Sequence, residues 1–133
     1  MIVIDASVAN KLVLPFEENH NKVKEIFREH VQAIEEIVVP DFLLYEVANT
    51  LTTKSSITFN RATRSLSVIY QANLSIHYCL ELEVKEAARL AKKYKTSVYD
   101  MLYAVVAKTR KTILITADEQ FVKQTKFKFV RLL

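Results

Sequence analysis

MIVIDASVANKLVL, residues 1–14, opens on a short apolar run, stops at Asp5 and then changes period. MIVI has no polar face, which suits a strand covered on both sides, as in a parallel sheet. ASVANKLVL predicts a short helix ending before Pro15, because proline disfavours helix in the residue that precedes it. A buried strand feeding a helix is the first half of a βαβ unit, and parallel strands need such crossovers.

The rest of the chain repeats this alternation. Residues 19–34 predict an amphipathic helix, with Val23, Ile26, Phe27, His30 and Val31 on one side. IVV at 37–39 is a second strand, and Pro40 fits the first turn of the helix DFLLYEVANTLTT at 41–53. A helix over 59–72, a strand LSIHYC at 74–79 and a helix from about Glu83 to Tyr94 follow. SVYDMLYAVVA at 97–107 is apolar enough to be buried almost all round, yet carries Asp100 near its start. TILIT at 112–116 is a β-branched strand stopping at Ala117-Asp118, and a short helix and KFKFVRL close the chain. The expected fold is a three-layer α/β/α sandwich around a parallel sheet, one domain over residues 1–133.

Composition narrows the chemistry. Half of the residues are hydrophobic and 26% are charged, as in ordinary globular proteins. No apolar run nears the ~18 residues of a membrane span, and the start resembles a strand rather than a signal peptide. Cys79 is the only cysteine, which leaves no disulfide framework and makes a reducing cytoplasm the expected compartment. With no glycine in 133 residues, phosphate-cradling loops for ATP or nicotinamide chemistry are missing. Helices should then end on Asn or Lys. Charge is uneven: residues 1–50 hold 4 Lys/Arg against 9 Asp/Glu, and residues 51–133 hold 15 against 6. Basic groups at Lys92, Lys93 and Lys95, at Lys108, Arg110 and Lys111, and at Lys123, Lys126, Lys128 and Arg131 permit a polyanionic partner.

Four acids stand out against this background. Asp5 and Asp118 follow strands expected to be central, at the sheet edge where ligands bind in open parallel sheets. Glu46 leads a polar stripe with Asn49, Thr50 and Thr53, and Asp100 lies in the first turn of a buried helix. Two unit charges about 5 Å apart repel by about 3 kcal/mol at an effective dielectric of about 20. Convergence therefore calls for retained protons or for a divalent cation, and oxygen-only donors suit Mg²⁺ or Mn²⁺. A cation in such a cradle activates water for phosphodiester cleavage.

Each acid also has a local reading. Ser97 and Asp100 match a capping box, Asp118 can cap DEQFVKQ, and Asp5 can cap the helix starting at Ala6. Glu46 in a helix interior has no capping role, leaving Arg61 or Arg64 as a buried partner. His20, His30 and His77 show no metal-ligand spacing and read as structural or surface residues, and Cys79 as a small core residue. The Tyr and Phe residues read mostly as core, with Tyr99 and Tyr103 able to touch a base.

IVIDASV, LLYEVANTL, SVYDMLYAVVA and ILITADEQF, in that order and spanning essentially the whole chain, resemble the PIN-domain nucleases, more closely the VapC toxins of toxin–antitoxin pairs. The resemblance implies an α/β/α sandwich whose Asp5, Glu46, Asp100 and Asp118 are catalytic and coordinate Mg²⁺ or Mn²⁺. Ser7, Asn49 and Thr116 match its supporting polar positions. Where relatives often carry another acid or asparagine after the T-x-D aspartate, this chain has Glu119 directly and Gln120 two residues on. Family members are typically homodimers that cleave structured or ribosomal RNA and are silenced by an antitoxin occupying the acidic site.

The expected function is thus a metal-dependent endoribonuclease of the cytoplasm, the toxin of a type II pair, with RNA as substrate, an antitoxin and a second copy as partners, and no membrane. Ser7, Asn49 and Thr116 would orient a ligand or a water on the metal. The alternatives are an RNA-processing or quality-control nuclease of the same fold without an antitoxin, or a non-catalytic RNA-binding domain. A phosphoacceptor receiver needs an acidic pair near the first strand, and a DxD-type phosphatase needs Asp where Ser7 stands.

Overall fold

A computed structural model describes residues 1–54 and 56–133. In chain order its elements are β1 (Ile2–Ile4), α1 (Ala6–Val13), α2 (His20–Val31), β2 (Ile37–Pro40), α3 (Leu43–Thr53) and α4 (Phe59–Gln71). Then come β3 (Ser75–His77), α5 (Glu81–Tyr94), α6 (Val98–Thr109), β4 (Leu114–Thr116), α7 (Glu119–Thr125) and β5 (Val130–Leu132). The five strands form one parallel sheet in the order β3-β2-β1-β4-β5. The expected α/β fold with a central parallel sheet is present.

β1 is the pivot. Val3 pairs with Val38 on one side and with Leu114 on the other, and β1 is buried at every residue. Strand order reverses between β1 and β4, which leaves a crevice beyond their carboxyl ends. α1 to α4 pack among themselves, whereas α5 and α6 form a separate pair with α6 lying on β1, β2 and β4. Met101 to Ala107 of α6 are all buried, as the uniform apolarity of SVYDMLYAVVA implies. No helix among the described residues is long and apolar enough to cross a membrane.

Without glycine, the left-handed backbone positions among the described residues fall to Asn19, Ala33, Asn73, Lys95, Lys111 and Lys126. Five of these six are Asn or Lys, and Lys95 and Lys126 cap the ends of α5 and α7. Asn tolerates this region through its short polar side chain, while Ala33 and the lysines bear the Cβ clash of about 1–2 kcal/mol each.

Three of the boundaries that differ from the sequence reading bear on the acids. Pro40 ends β2, opposite His77, instead of opening a helix. Proline lacks only the donor, and the bond to His77 O is made by the next residue, Asp41 N, at 3.3 Å. α3 consequently starts at Leu43, which puts Glu46 in its first turn rather than in its interior. α5 starts two residues early because the Glu83 carboxylate reaches back to accept from Leu80 N at 2.8 Å.

Candidate active site

All four acids sit at helix N-termini facing the carboxyl edge of the sheet. Asp5 is the N-cap of α1, accepting from Val8 N at 3.0 Å, and Asp118 the N-cap of α7, accepting from Phe121 N at 2.9 Å. Asp100 and Ser97 bond reciprocally: Ser97 Oγ accepts from Asp100 N at 3.0 Å and donates to Asp100 Oδ2 at 2.6 Å. The capping readings of these three acids are therefore correct, and they do not compete with a shared site. A carboxylate at a helix start is favoured by the exposed amides and dipole there, and parallel βα units bring those starts to one edge.

Asp5 lies deepest. Ser7 Oγ donates to Asp5 Oδ1 at 2.5 Å and accepts from Ala117 N at 2.8 Å, tying the end of β1 to the end of β4. Thr116, fully buried, lies beside Asp5 and favours its charged form, while its Oγ1 accepts from Asp118 N at 2.9 Å. Burial nevertheless holds the Asp5 carboxyl above the usual range against the lowering effect of Ser7, Thr116 and Val8 N, and the Asp100 charge adds to the rise.

Glu46 accepts from the Tyr103 hydroxyl at 2.5 Å. Its partner is thus a tyrosine of α6 rather than Arg61 or Arg64, and Arg61 instead lies over the Phe16 ring at 5.7 Å. Burial raises the Glu46 pKa above its ordinary value, Tyr103 counters this, and the charges of Asp100 and Asp5 raise it further. Burial and the same three acids push the Tyr103 hydroxyl far up, so it remains a donor. Tyr103 belongs to the site and stands three residues after Asp100, on the same face of α6. That spacing is the signal in the sequence that marks it.

The structure therefore gathers Asp5, Glu46 and Asp100 into one electrostatic unit. Asp118 joins it through backbone and hydroxyl links, its carboxylate occupied with capping α7 and absent from the charges that act on Asp5 and Glu46. Asn49 lies one turn beyond Glu46 and lines the same cleft. Among the described residues no Lys or Arg pairs with Asp5, Glu46 or Asp100.

A different group at the same edge has the tighter spacing. The ligand atoms of His77, Cys79 and Glu83 all lie within 4.8 Å of one another. Arg110 donates to His77 Nδ1 through Nε at 3.2 Å, and His77 Nε2 meets both Glu83 oxygens at 3.0 and 2.9 Å. With Nδ1 accepting, Nε2 carries the proton and donates to Glu83. Burial, with Glu83 and Asp41 nearby, pushes the Cys79 thiol up to about 11. A protonated thiol and an imidazole whose two nitrogens are both engaged make a poor metal cradle. His77 is a structural residue, as expected, and so is His30, whose Nδ1 accepts from Ile37 N at 3.0 Å.

The oxygen donors of Asp5, Glu46 and Asp100 fit a hard divalent cation, because their mutual repulsion is uncompensated and they offer no soft ligand. Mg²⁺ keeps several waters, so carboxylates holding it partly through water need not close to 4.8 Å.

An acid-lined crevice at the switch point of a parallel α/β sheet defines a class of domain, and one such family matches this chain. The chain belongs to the PIN domain family, whose model matches residues 2–127. The family is generally one of nucleases, and its members generally bind divalent metals. No curated protein matches the sequence. Among solved structures, PAE2754 from Pyrobaculum aerophilum is similar at a TM-score of 0.73 and 19% identity, covering 98% of this chain and 87% of that one. VapC20 from Mycobacterium tuberculosis, described as a sarcin–ricin loop cleaving toxin, has a TM-score of 0.70 and 12% identity, covering 94% and 95%. VapBC2 from Rickettsia felis, solved bound to a DNA fragment from its promoter, gives 0.70 and 12%, covering 99% and 98%.

Proposed function

We propose that this protein is a divalent-cation-dependent endoribonuclease and the toxin of a toxin–antitoxin pair. The observation that carries the reading is the gathering of Asp5, Glu46 and Asp100 with no cationic partner among the described residues. Likeness of fold to VapC20 and to the VapBC2 complex supports the toxin assignment.

Asp5, Glu46 and Asp100, with Asp118 beside them, would hold Mg²⁺ or Mn²⁺. When bound, the cation would activate a water for attack on the phosphodiester and stabilise the leaving oxygen. The chain's own contribution is position. Ser7 fixes Asp5 by donating to it, Tyr103 holds Glu46, and Ser97 holds Asp100. Asn49 would orient a ligand at the cleft. The exposed Lys92 and Lys93 on the last turn of α5, and Lys95 just beyond, stand one short connection before Ser97 and would hold the RNA backbone. In this reading the chain works as one domain in the cytoplasm, pairs with a second copy, and is inhibited by an antitoxin that covers the acids.

The test is to map RNA ends after expression of the wild type and of Asp5→Asn, and to cut the mapped RNA in vitro with Mg²⁺ or Mn²⁺. Defined ends for the wild type only, abolished by chelator, are expected. Cutting that survives both chelator and Asp100→Asn would remove the mechanism.

A further inference from the structure

Beside the acids lies an open cleft of about 590 Å³, formed by α1, α3 with the preceding Phe42, and the start of α6. Its size falls in the range of small-ligand sites. Glu46 and Ser7 line one part of it, so it is continuous with the acid edge. Elsewhere its lining is aromatic and amide: Phe42, Tyr45, Tyr99, Asn10 and Asn49.

Three features separate this cleft from an ordinary groove. First, two large aromatic side chains from different helices are left in solvent, Tyr45 at 71% exposure and Tyr99 at 59%. Phe42 meets Tyr99 edge-on at 5.7 Å and Tyr103 edge-on at 5.2 Å, so Tyr99 is braced by the core while its ring stays accessible. Second, no Lys or Arg lines the cleft among the described residues, so it offers phosphate no cationic partner. Third, Asn10 Oδ1 is buried and accepts no hydrogen bond among the described residues. Asn10 lines the cleft, and a half-turn of its amide would present that acceptor to a bound group.

Aromatic faces, amides and no cations are the chemistry of nucleobase recognition in single-stranded RNA, where bases stack on tyrosine and hydrogen-bond along their edges. We propose that this cleft is a base-binding subsite for an unpaired nucleotide next to the scissile phosphate. Tyr99 supplies the stacking platform, and Asn10 selects a base that presents an amino or imino N–H. The inference rests on the nuclease reading and adds to it a residue-level source of cleavage-site choice.

The test has two arms. Binding is read without turnover, using single-stranded RNA carrying 2-aminopurine, with Ca²⁺ replacing Mn²⁺. Base choice is read by sequencing the ends cut from a randomised RNA with Mn²⁺. Wild type should quench the 2-aminopurine. Tyr99→Ala should bind about tenfold more weakly, and Tyr99→Phe should restore binding. Asn10→Leu should flatten preference at one position beside the cut and leave the other positions unchanged. Absence of quenching by wild type overturns the subsite, as does unchanged affinity and base choice in Tyr99→Ala and Asn10→Leu. If Tyr99→Ala weakens only the grip of an antitoxin peptide, the cleft is a protein groove and the inference fails. Absence of any Mn²⁺-dependent cutting by wild type is a separate result that overturns the nuclease reading, and the quenching arm stands apart from it.

Discussion

Asp5 and Glu83 are both buried carboxylates beside the carboxyl ends of strands in the same sheet, yet the protein treats them in opposite ways. Burial alone would raise both. Around Glu83, hydrogen bonds from Leu80 N and His77, with Thr109 nearby, outweigh burial and hold the carboxylate below its usual range, with Arg110 anchoring the far side of His77. Around Asp5, the hydrogen bonds from Ser7 and Val8 N and the nearby Thr116 fall short of burial and the neighbouring Asp100 charge, so the pKa stays raised. One cluster is complete as built. The other carries negative charge that its surroundings leave uncompensated, which is the condition for a cation or a substrate to belong there.

This contrast can be broken most directly at the open cluster. Asp100→Asn keeps a side chain able to bond with Ser97 but removes one charge. RNA cleavage should fall about a thousandfold while the melting temperature barely moves, since cation-assisted chemistry contributes several kcal/mol to the barrier. A single-turnover assay alongside thermal unfolding reads both, and full activity would erase the distinction.

The closed cluster should respond in stability instead. Glu83→Ala leaves His77 and Arg110 facing an emptied, largely buried position and should cost about 3 kcal/mol in urea unfolding. A change within about 0.5 kcal/mol would show that the network is ornamental. A smaller effect is expected at Tyr103→Phe. Loss of the hydroxyl that holds Glu46 should weaken Mn²⁺ binding about tenfold by calorimetry.

The subtlest difference is in pH dependence, where the two clusters have opposite signs. The raised pKa values of Asp5 and Glu46 mean that their contribution to stability is fully present below the unfolded-state pKa and is lost as pH rises through the folded value. The lowered Glu83 value means stability present above the unfolded pKa and lost as pH falls through the folded one. Metal-free Asp5→Asn should therefore gain on wild type as pH climbs from acid to neutral, because Asn still caps α1. Glu83→Gln should fall behind over the same range. Urea titrations at several pH values decide it, and parallel curves for the two variants would contradict the assignment.

Legibility in the sequence followed the range of the interactions involved. MIVI, IVV and TILIT announced buried strands, and the uniform apolarity of SVYDMLYAVVA announced a helix covered on all sides, because periodicity and burial are properties of neighbours in the chain. The lack of glycine puts Asn or Lys at four of the five left-handed positions that follow helices among the described residues, Ala33 after α2 being the exception, since that choice is made residue by residue. The start of α3 was misplaced by two residues because Pro40 fits a helix start and a strand end equally well. That small slip hid the fact that Glu46, too, sits in a first turn.

By itself the sequence determined the order of strands and helices and the four acids that follow or open them. It could not say which acids find protein partners, because that depends on residues far apart in the chain. Tyr103 stands 57 positions from Glu46, and Arg110 stands 33 from His77. Only the tertiary structure decided that Glu83 is held below its usual range while Asp5 and Glu46 are held above theirs. The reason is electrostatic: a carboxylate's state is set by what surrounds it at a few ångströms, and folding chooses those surroundings.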